Sequence, residues 1–105
     1  MYKNIIILVT TPDAKRADLI GSALLDKRLI CAAQNLGKIK SLFFWQNKKV
    51  NRQESLLLLI SKKSNFKKIE KEVKKLHPYK VPQIISFDIS QSNKDYAGWI
   101  DEICL

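Results

Sequence analysis

Two five-residue stretches of this chain, 5–9 and 56–60, are apolar at every position. In an extended strand, successive side chains point to opposite faces, so a strand that is apolar throughout needs cover on both faces. A chain of 105 residues has enough helix to cover one face of a sheet and little chain left for the other. We therefore expect another copy of the chain to cover the second face, which makes self-association the first functional inference.

The length and composition indicate one domain over residues 1–105. Hydrophobic residues make up 46% of the chain and it has only three glycines and three prolines, which excludes disordered and collagen-like classes. Its apolar runs are far shorter than the ~20 residues of a membrane span and shorter than the ~7–15 apolar residues of a secretory signal. These features predict a cytoplasmic protein that does not bind membranes.

The net charge of +9 raises nucleic acid as a partner, but the basic residues are mostly lysine. Only three of the 19 are arginine, the residue that contacts bases bidentately most readily. We interpret the lysine excess as a compositional bias of the source and predict no nucleic-acid partner.

The two cysteines, Cys31 and Cys104, match no metal or redox spacing. Free buried thiols are the expected state in a reducing compartment, and a disulfide between them is the alternative. Neither cysteine has a histidine near it in the sequence, and the glycines are scattered rather than gathered in a phosphate-binding loop. The sequence therefore predicts no catalytic residues and no enzymatic activity.

The hydrophobic periodicity predicts an alternation of strands and helices. The first strand covers residues 3–10, and Thr11 is predicted to cap a helix that has Pro12 at its first position and ends near Arg28. Gly21 lies on the apolar stripe of this helix, where it permits a close approach to the sheet. The later predicted elements are a strand at 29–46 interrupted near Gly37, a turn at 46–49, a strand at 50–61, a helix from Ser64 to His77, a strand at 83–89, and a final helix capped by Asn93.

This order, β-α-β-β-α-β with an added C-terminal helix, is typical of the α+β ferredoxin-like fold, an antiparallel sheet with two helices on one face. RNA-recognition modules share the order, but they stack bases on aromatic residues of the first and third strands. Those strands are aliphatic here, so the pattern does not favour RNA binding.

The segment 77–85, His-Pro-Tyr-Lys-Val-Pro-Gln-Ile-Ile, has two prolines that fix the chain between the second helix and the last strand. It resembles the His-Pro-Tyr-x-x-Pro-Glu signature of the CutA family, the divalent-cation tolerance proteins. Other matching features, in family order and spacing, are the segment 10–13, the aromatic segment 42–45, Glu54 and the segment 93–100. The resemblance extends over essentially the whole chain.

The resemblance implies a tight homotrimer whose subunits enclose clefts like those of the PII signalling proteins. It also implies binding of copper or another divalent metal and a role in metal tolerance. Among the residues in the matching segments, we expect Tyr79, Trp45 and Glu54 at the inter-subunit cleft. Packing in the core is the alternative for Trp45 and its aromatic neighbours.

His77 is the only histidine and the metal donor that the resemblance leaves. Ala32, Ile60 and Gln83 stand where the family has Cys, Lys and Glu. The structural alternative is that His77 hydrogen-bonds carbonyls at a helix C-terminus. A second functional hypothesis is a PII-like sensor that binds a small metabolite or nucleotide between subunits, aided by the positive potential of the lysine-rich second helix.

Overall fold

The computed structural model describes residues 2–105, and its elements follow the predicted order. The strands are β1 (Asn4–Thr11), β2 (Ala32–Trp45), β3 (Lys48–Lys62) and β4 (Ile84–Asp88), and the helices are α1 (Ala14–Asp26), α2 (Phe66–Leu76) and α3 (Lys94–Ile103). The four strands form one antiparallel sheet in the order β2-β3-β1-β4. The predicted ferredoxin-like fold is confirmed.

One face of the sheet carries the main hydrophobic core. Alternate residues of β1 and β3 point to this face and are completely or almost completely buried: Ile5, Ile7, Val9, Leu57 and Leu59. The apolar stripes of α1 and α2 pack on them, through Ala17, Ile20, Leu24, Ile69 and Val73. Such burial stabilises by roughly 25 cal/mol for each Å² of apolar surface removed from water.

The opposite face is covered at one end only. The expectation that a single subunit leaves this whole face open was wrong, because α3 packs Ile100 against Ile60 of β3 in a second cluster. Beyond α3, the face presents side chains from three strands, which we call the open apolar face: Ile6, Leu8, Leu56, Leu58, Ile85 and Phe87. Ile85 and Phe87, on β4, are 44% and 53% exposed.

The β2–β3 hairpin extends well past the rest of the sheet. β1 pairs with β3 only from Ser55 onwards, so residues 38–53, here called the hairpin arm, form a two-stranded ribbon. The arm closes at Gln46 and Asn47, whose positive φ values of 51° and 64° are those of a type I′ turn. The interruption predicted near Gly37 is confirmed as a β-bulge, with the glycine at φ 91°.

The first helix begins and ends differently from the prediction. Thr11 is the last residue of β1, and the N-cap is Asp13, whose Oδ1 accepts the backbone N–H of Arg16 at 2.8 Å. The carboxylate also faces the positive end of the helix dipole, so it is a stronger cap than the predicted hydroxyl. The helix stops at Asp26 because Arg28, at φ 56°, closes a Schellman motif.

The second helix is preceded by a 3-10 turn, Lys63–Asn65, so Ser64 does not cap it. Asn65 occupies the N-cap position, but its buried amide serves tertiary contacts instead. Its Nδ2 donates to the carbonyls of Leu29 at 3.2 Å and Leu105 at 3.1 Å. The predicted end is confirmed, with His77 in an extended conformation after the last helical residue.

Gly21 brings α1 close to the sheet, as predicted. A Cβ at this position would lie 2.8 Å from the Cβ of Ala33 on β2, closer than two carbon atoms approach. Among residues 2–105, no helix is long and apolar enough to cross a membrane.

Candidate functional site

A cleft of about 540 Å³ opens where the hairpin arm meets the segment that joins α2 to β4. Its walls include Trp45, Glu54 and Tyr79, so the structure brings together the three residues predicted for a cleft. Glu54 lies two positions before Leu56 on β3, which places it on the side of the sheet that carries the open apolar face. The cleft and that face are therefore continuous.

A hydrogen bond joins the two polar residues of the predicted set. The Tyr79 hydroxyl donates to Oε2 of Glu54 at 2.8 Å, and Glu54 is only 4% exposed. Burial raises the pKa of Tyr79, and the hydrogen bond to the Glu54 carboxylate raises it further because an ionised phenol beside a carboxylate is unfavourable. The pair thus presents a protonated phenol and a nearly buried carboxyl in the lining of the cleft.

Arg52 is a cleft residue that sequence reasoning missed. Its guanidinium carbon lies 5.0 Å from the ring centroid of Tyr79 and 5.5 Å from that of Phe43, both distances typical of cation–π contacts. The signal that would have found it is its spacing, because Arg52 and Glu54 are two positions apart on one strand and so share a face. The guanidinium gives the cleft a fixed cation that is suited to anionic or planar groups.

His77 contacts the cleft through Tyr79. The side chain is buried, its Nε2 donates to the Thr10 carbonyl at 2.7 Å, and its Nδ1 accepts the backbone N–H of Tyr79 at 3.2 Å. A carbonyl partner on one nitrogen and an N–H partner on the other define the neutral tautomer with the proton on Nε2. The structural alternative for His77, a bond to carbonyls at the helix C-terminus, does not form, and Arg16 instead donates to the Leu76 carbonyl at 2.7 Å.

Within the part of the chain that the structure describes, no group of three or more His, Cys, Asp or Glu side chains lies close enough to hold a metal ion. The cleft walls also carry exposed apolar surface, since Trp45 and Val81 both face solvent. The cleft therefore has the groups of a ligand site: a buried carboxylate, a fixed guanidinium and exposed aromatic walls. It is open to solvent in the single subunit.

Known proteins resemble nearly the whole chain. The profile of the family described as CutA1 divalent ion tolerance protein matches residues 5–103. The divalent-cation tolerance protein CutA of Thermus thermophilus is 35% identical over 97 residues, which cover 92% of this chain and 94% of the relative.

Solved structures show the same fold. The CutA1 protein of the psychrotrophic bacterium Shewanella sp. SIB1 superposes with a TM-score of 0.95 at 27% identity, covering 98% of this chain and 96% of that one. The periplasmic divalent cation tolerance protein CutA of Archaeoglobus fulgidus superposes with a TM-score of 0.92 at 30% identity, covering 95% and 97%.

Proposed function

This chain belongs to the CutA1 divalent ion tolerance family, and from that membership we propose that it acts, as a single domain over residues 1–105, in a homotrimer that binds copper or another divalent ion weakly. The open apolar face carries the proposal. Leaving a large aliphatic or aromatic side chain in water costs up to about 1.5–3 kcal/mol relative to full burial. Ile85 and Phe87 are about half exposed beside the partly buried Ile6 and Leu8, so a second copy that covers this face gains stability.

The cleft lies at the edge of the surface that such a copy would cover. Glu54 and Leu56 share one face of β3, so a subunit packed on the open apolar face also closes over the cleft. The exposed apolar walls at Trp45 and Val81 are then buried. This supports the placement of Tyr79, Trp45 and Glu54 at a cleft between subunits.

A metal site in this protein would draw donors from more than one subunit. Copper is typically held by two or more nitrogen or sulfur ligands, and the described residues of one subunit hold no cluster of three donors. We propose His77 as the donor that each subunit supplies, through Nδ1. Its present partner, the N–H of Tyr79 at 3.2 Å, is the weaker of its two hydrogen bonds and lies in an irregular segment.

Calorimetric titration with Cu²⁺ tests this site. We expect His77→Gln to reduce copper uptake at least tenfold, because glutamine keeps an N–H donor for Thr10 but has no imidazole. The double variant Cys31→Ser/Cys104→Ser is the matched control and should retain full uptake. Equal uptake by the wild type and His77→Gln would show that the donor is elsewhere.

The assembly has its own test. We expect light scattering on the eluted protein to give the mass of a trimer for the wild type and a smaller mass for Phe87→Lys, which places a charge on the open apolar face. Leu19→Lys, at an exposed position of α1, is the control for added charge. A stable single subunit of the wild type in dilute solution would end the shared-cleft proposal.

We also propose that the protein is not an enzyme, binds neither nucleic acid nor membranes, and is cytoplasmic. The location is supported by two buried cysteines that stand as thiols, the resting state expected in a reducing compartment until an oxidant reacts with them. Subcellular fractionation tests it: recovery with periplasmic markers, the location in the name of the Archaeoglobus protein, would contradict it.

A second candidate function, a sensor of small anionic metabolites or nucleotides, is favoured by Arg52 alone. Thermal-shift measurements with nucleotides, anions and divalent metals separate the two functions. Stabilisation by an anion that is lost in Arg52→Gln would favour the sensor, whereas stabilisation by metals that is lost in His77→Gln would favour metal binding.

A further inference from the structure

The second buried cluster joins the end of the sheet to the C-terminal helix and contains both cysteines. Cys31 precedes β2, Cys104 follows α3, and each is only 5% exposed. They pack with Ile60 and Ile100, and the surrounding side chains are largely apolar.

Neighbouring positions of one strand anchor the two thiols. Sγ of Cys31 donates to the Ile60 carbonyl at 3.4 Å, and Sγ of Cys104 lies 3.8 Å from Oγ of the next residue, Ser61. Both sulfur atoms are therefore held at the same point of β3, although the cysteines come from distant parts of the chain.

The backbone on both sides of the pair is also tied down. The N–H of Cys31 donates to the Ile60 carbonyl at 2.9 Å, which fixes the start of β2. The N–H of Leu105 donates to the Arg28 carbonyl at 3.0 Å, which ties the end of α3 to the segment before Cys31. The folded chain therefore already holds the two thiols close together. Pairing them costs little further chain entropy.

We propose that Cys31 and Cys104 are a modification site at which an intramolecular disulfide closes and fastens α3 to the sheet. The apolar cluster favours this product over a metal bound by the same two sulfurs. A cystine is uncharged, whereas a copper(I) ion held by two thiolates buries a net negative charge, which is costly without a partner.

The reaction partner is a small-molecule disulfide such as oxidised glutathione. The Cys104 thiol, at the end of α3, loses its proton and its thiolate attacks one sulfur of glutathione disulfide, releasing one glutathione thiolate that is then protonated. The Cys31 thiolate next attacks the Cys104 sulfur of the mixed disulfide and releases the second glutathione. Two protein thiols are oxidised to one disulfide, and one glutathione disulfide is reduced to two glutathione molecules.

The environment makes Cys31 slow to react. Burial raises the pKa of Cys31 to about 12, and the neighbouring Cys104 contributes to the rise. The Cys31 thiolate is therefore scarce at neutral pH in the folded chain, so its attack requires transient opening at the end of α3.

The experiment equilibrates the full chain with glutathione and its disulfide, starting both from the folded reduced protein and from protein refolded in the same buffer. Free thiols are then blocked by alkylation and the intact mass and disulfide-linked peptides are measured. We expect the chain to lose the mass of two hydrogen atoms, to carry no alkyl group, and to yield a peptide that joins Cys31 to Cys104. Oxidation should raise the thermal midpoint by at least about 10 °C, because the bond closes a long loop.

Cys31→Ser and Cys104→Ser are the matched controls, and each should keep one alkylatable or glutathione-bound thiol without the thermal shift. Two alkylated thiols after refolding, or disulfides only between chains, would overturn the proposal. The proposal would also be overturned if the wild type retained copper(I) against excess glutathione and both single variants lost it. That result would identify a soft-metal site.

Discussion

The body of the sheet and the hairpin arm are built from the same residue types but bury them very differently. In the body, β1 is flanked by two strands and backed by two helices, and Ile7 and Leu59 are inaccessible to water. In the arm, β2 and β3 pair only with each other, and Leu42 and Phe44 are 71% and 73% exposed. A two-stranded ribbon is marginally stable alone, so apolar residues in the arm indicate cover from outside the subunit.

The contrast separates two sources of stability. The body is stabilised by contacts within one chain, which do not depend on protein concentration. The arm and the open apolar face present surface that only another chain could bury, so any stability gained from that burial would depend on protein concentration.

The largest expected effect distinguishes the two regions directly. Leu59→Ala should lower the free energy of unfolding by about 2–5 kcal/mol at every protein concentration, because it leaves a cavity in the core. Leu42→Ala, in the arm, should cost no more than about 0.5 kcal/mol in dilute solution and more as subunits assemble. Urea unfolding over a range of concentrations measures both, and equal losses that do not vary with concentration would remove the distinction.

A smaller effect tests how tightly the body is packed. Gly21→Ala should destabilise by about 1–3 kcal/mol, because the clash with Ala33 outweighs the gain in helix propensity. Gly98→Ala, in α3, is the matched control: a Cβ there has no atom within 4 Å, so alanine should stabilise by about 0.5–1 kcal/mol. Thermal unfolding of both variants checks the opposite signs.

The junction between body and arm should weaken at alkaline pH. The fold raises the pKa of Tyr79. The protonated Tyr79 side chain therefore contributes its full stability below the pKa of an unfolded tyrosine, near 10. This stability is lost as the pH rises through the pKa of Tyr79 in the folded protein. Tyr79→Phe should cost about 1–3 kcal/mol at pH 8, since it leaves the Glu54 carboxyl without its partner, and nothing further at higher pH. Urea unfolding at pH 8 and pH 11 in a Cys31→Ser/Tyr96→Phe background, which removes the other thiol and phenol whose pKa values the fold raises, measures the difference. An unchanged alkaline loss in Tyr79→Phe would assign it to another group.

The smallest effect concerns the tip of the arm. Gln46 and Asn47 both adopt left-handed conformations that side chains disfavour, and Asn-Gly is the preferred pair in this turn type. The double change Gln46→Asn/Asn47→Gly should therefore stabilise by about 0.5–1 kcal/mol, observed as slower unfolding in urea. No change would mean that the turn is held by contacts outside the hairpin.

The fold was predictable because alternation and helical periodicity are dense in the body of this chain. The apolar runs at 5–9 and 56–60 indicate strands by themselves, and they pair in the sheet centre. Helix starts were less predictable, since Thr11 and Ser64 are good caps by residue type. Asp13 displaced Thr11 through a local hydrogen bond to the N–H of Arg16. The 3-10 turn displaced Ser64 and leaves Asn65 to make contacts that depend on the tertiary structure.

The cleft was predictable in its members but not in its chemistry. Tyr79, Glu54 and Trp45 came from matching segments. The hydrogen bond between Tyr79 and Glu54 and the guanidinium of Arg52 over the Tyr79 ring depend on how the segment between α2 and β4 packs against β3. The hydrogen bonds of His77 could not be predicted from the sequence for the same reason. Its partner Thr10 lies at the far end of the sequence.

The tight turn at the arm's tip has a consequence for the order of folding. β2 and β3 are adjacent in sequence, so their ladder can zip from Gln46 and Asn47 with little loop-closure entropy. β4 instead pairs with β1, from the opposite end of the chain, and must wait for that long closure. The last strand to pair therefore completes the open apolar face, so the association that we propose between subunits would follow this closure.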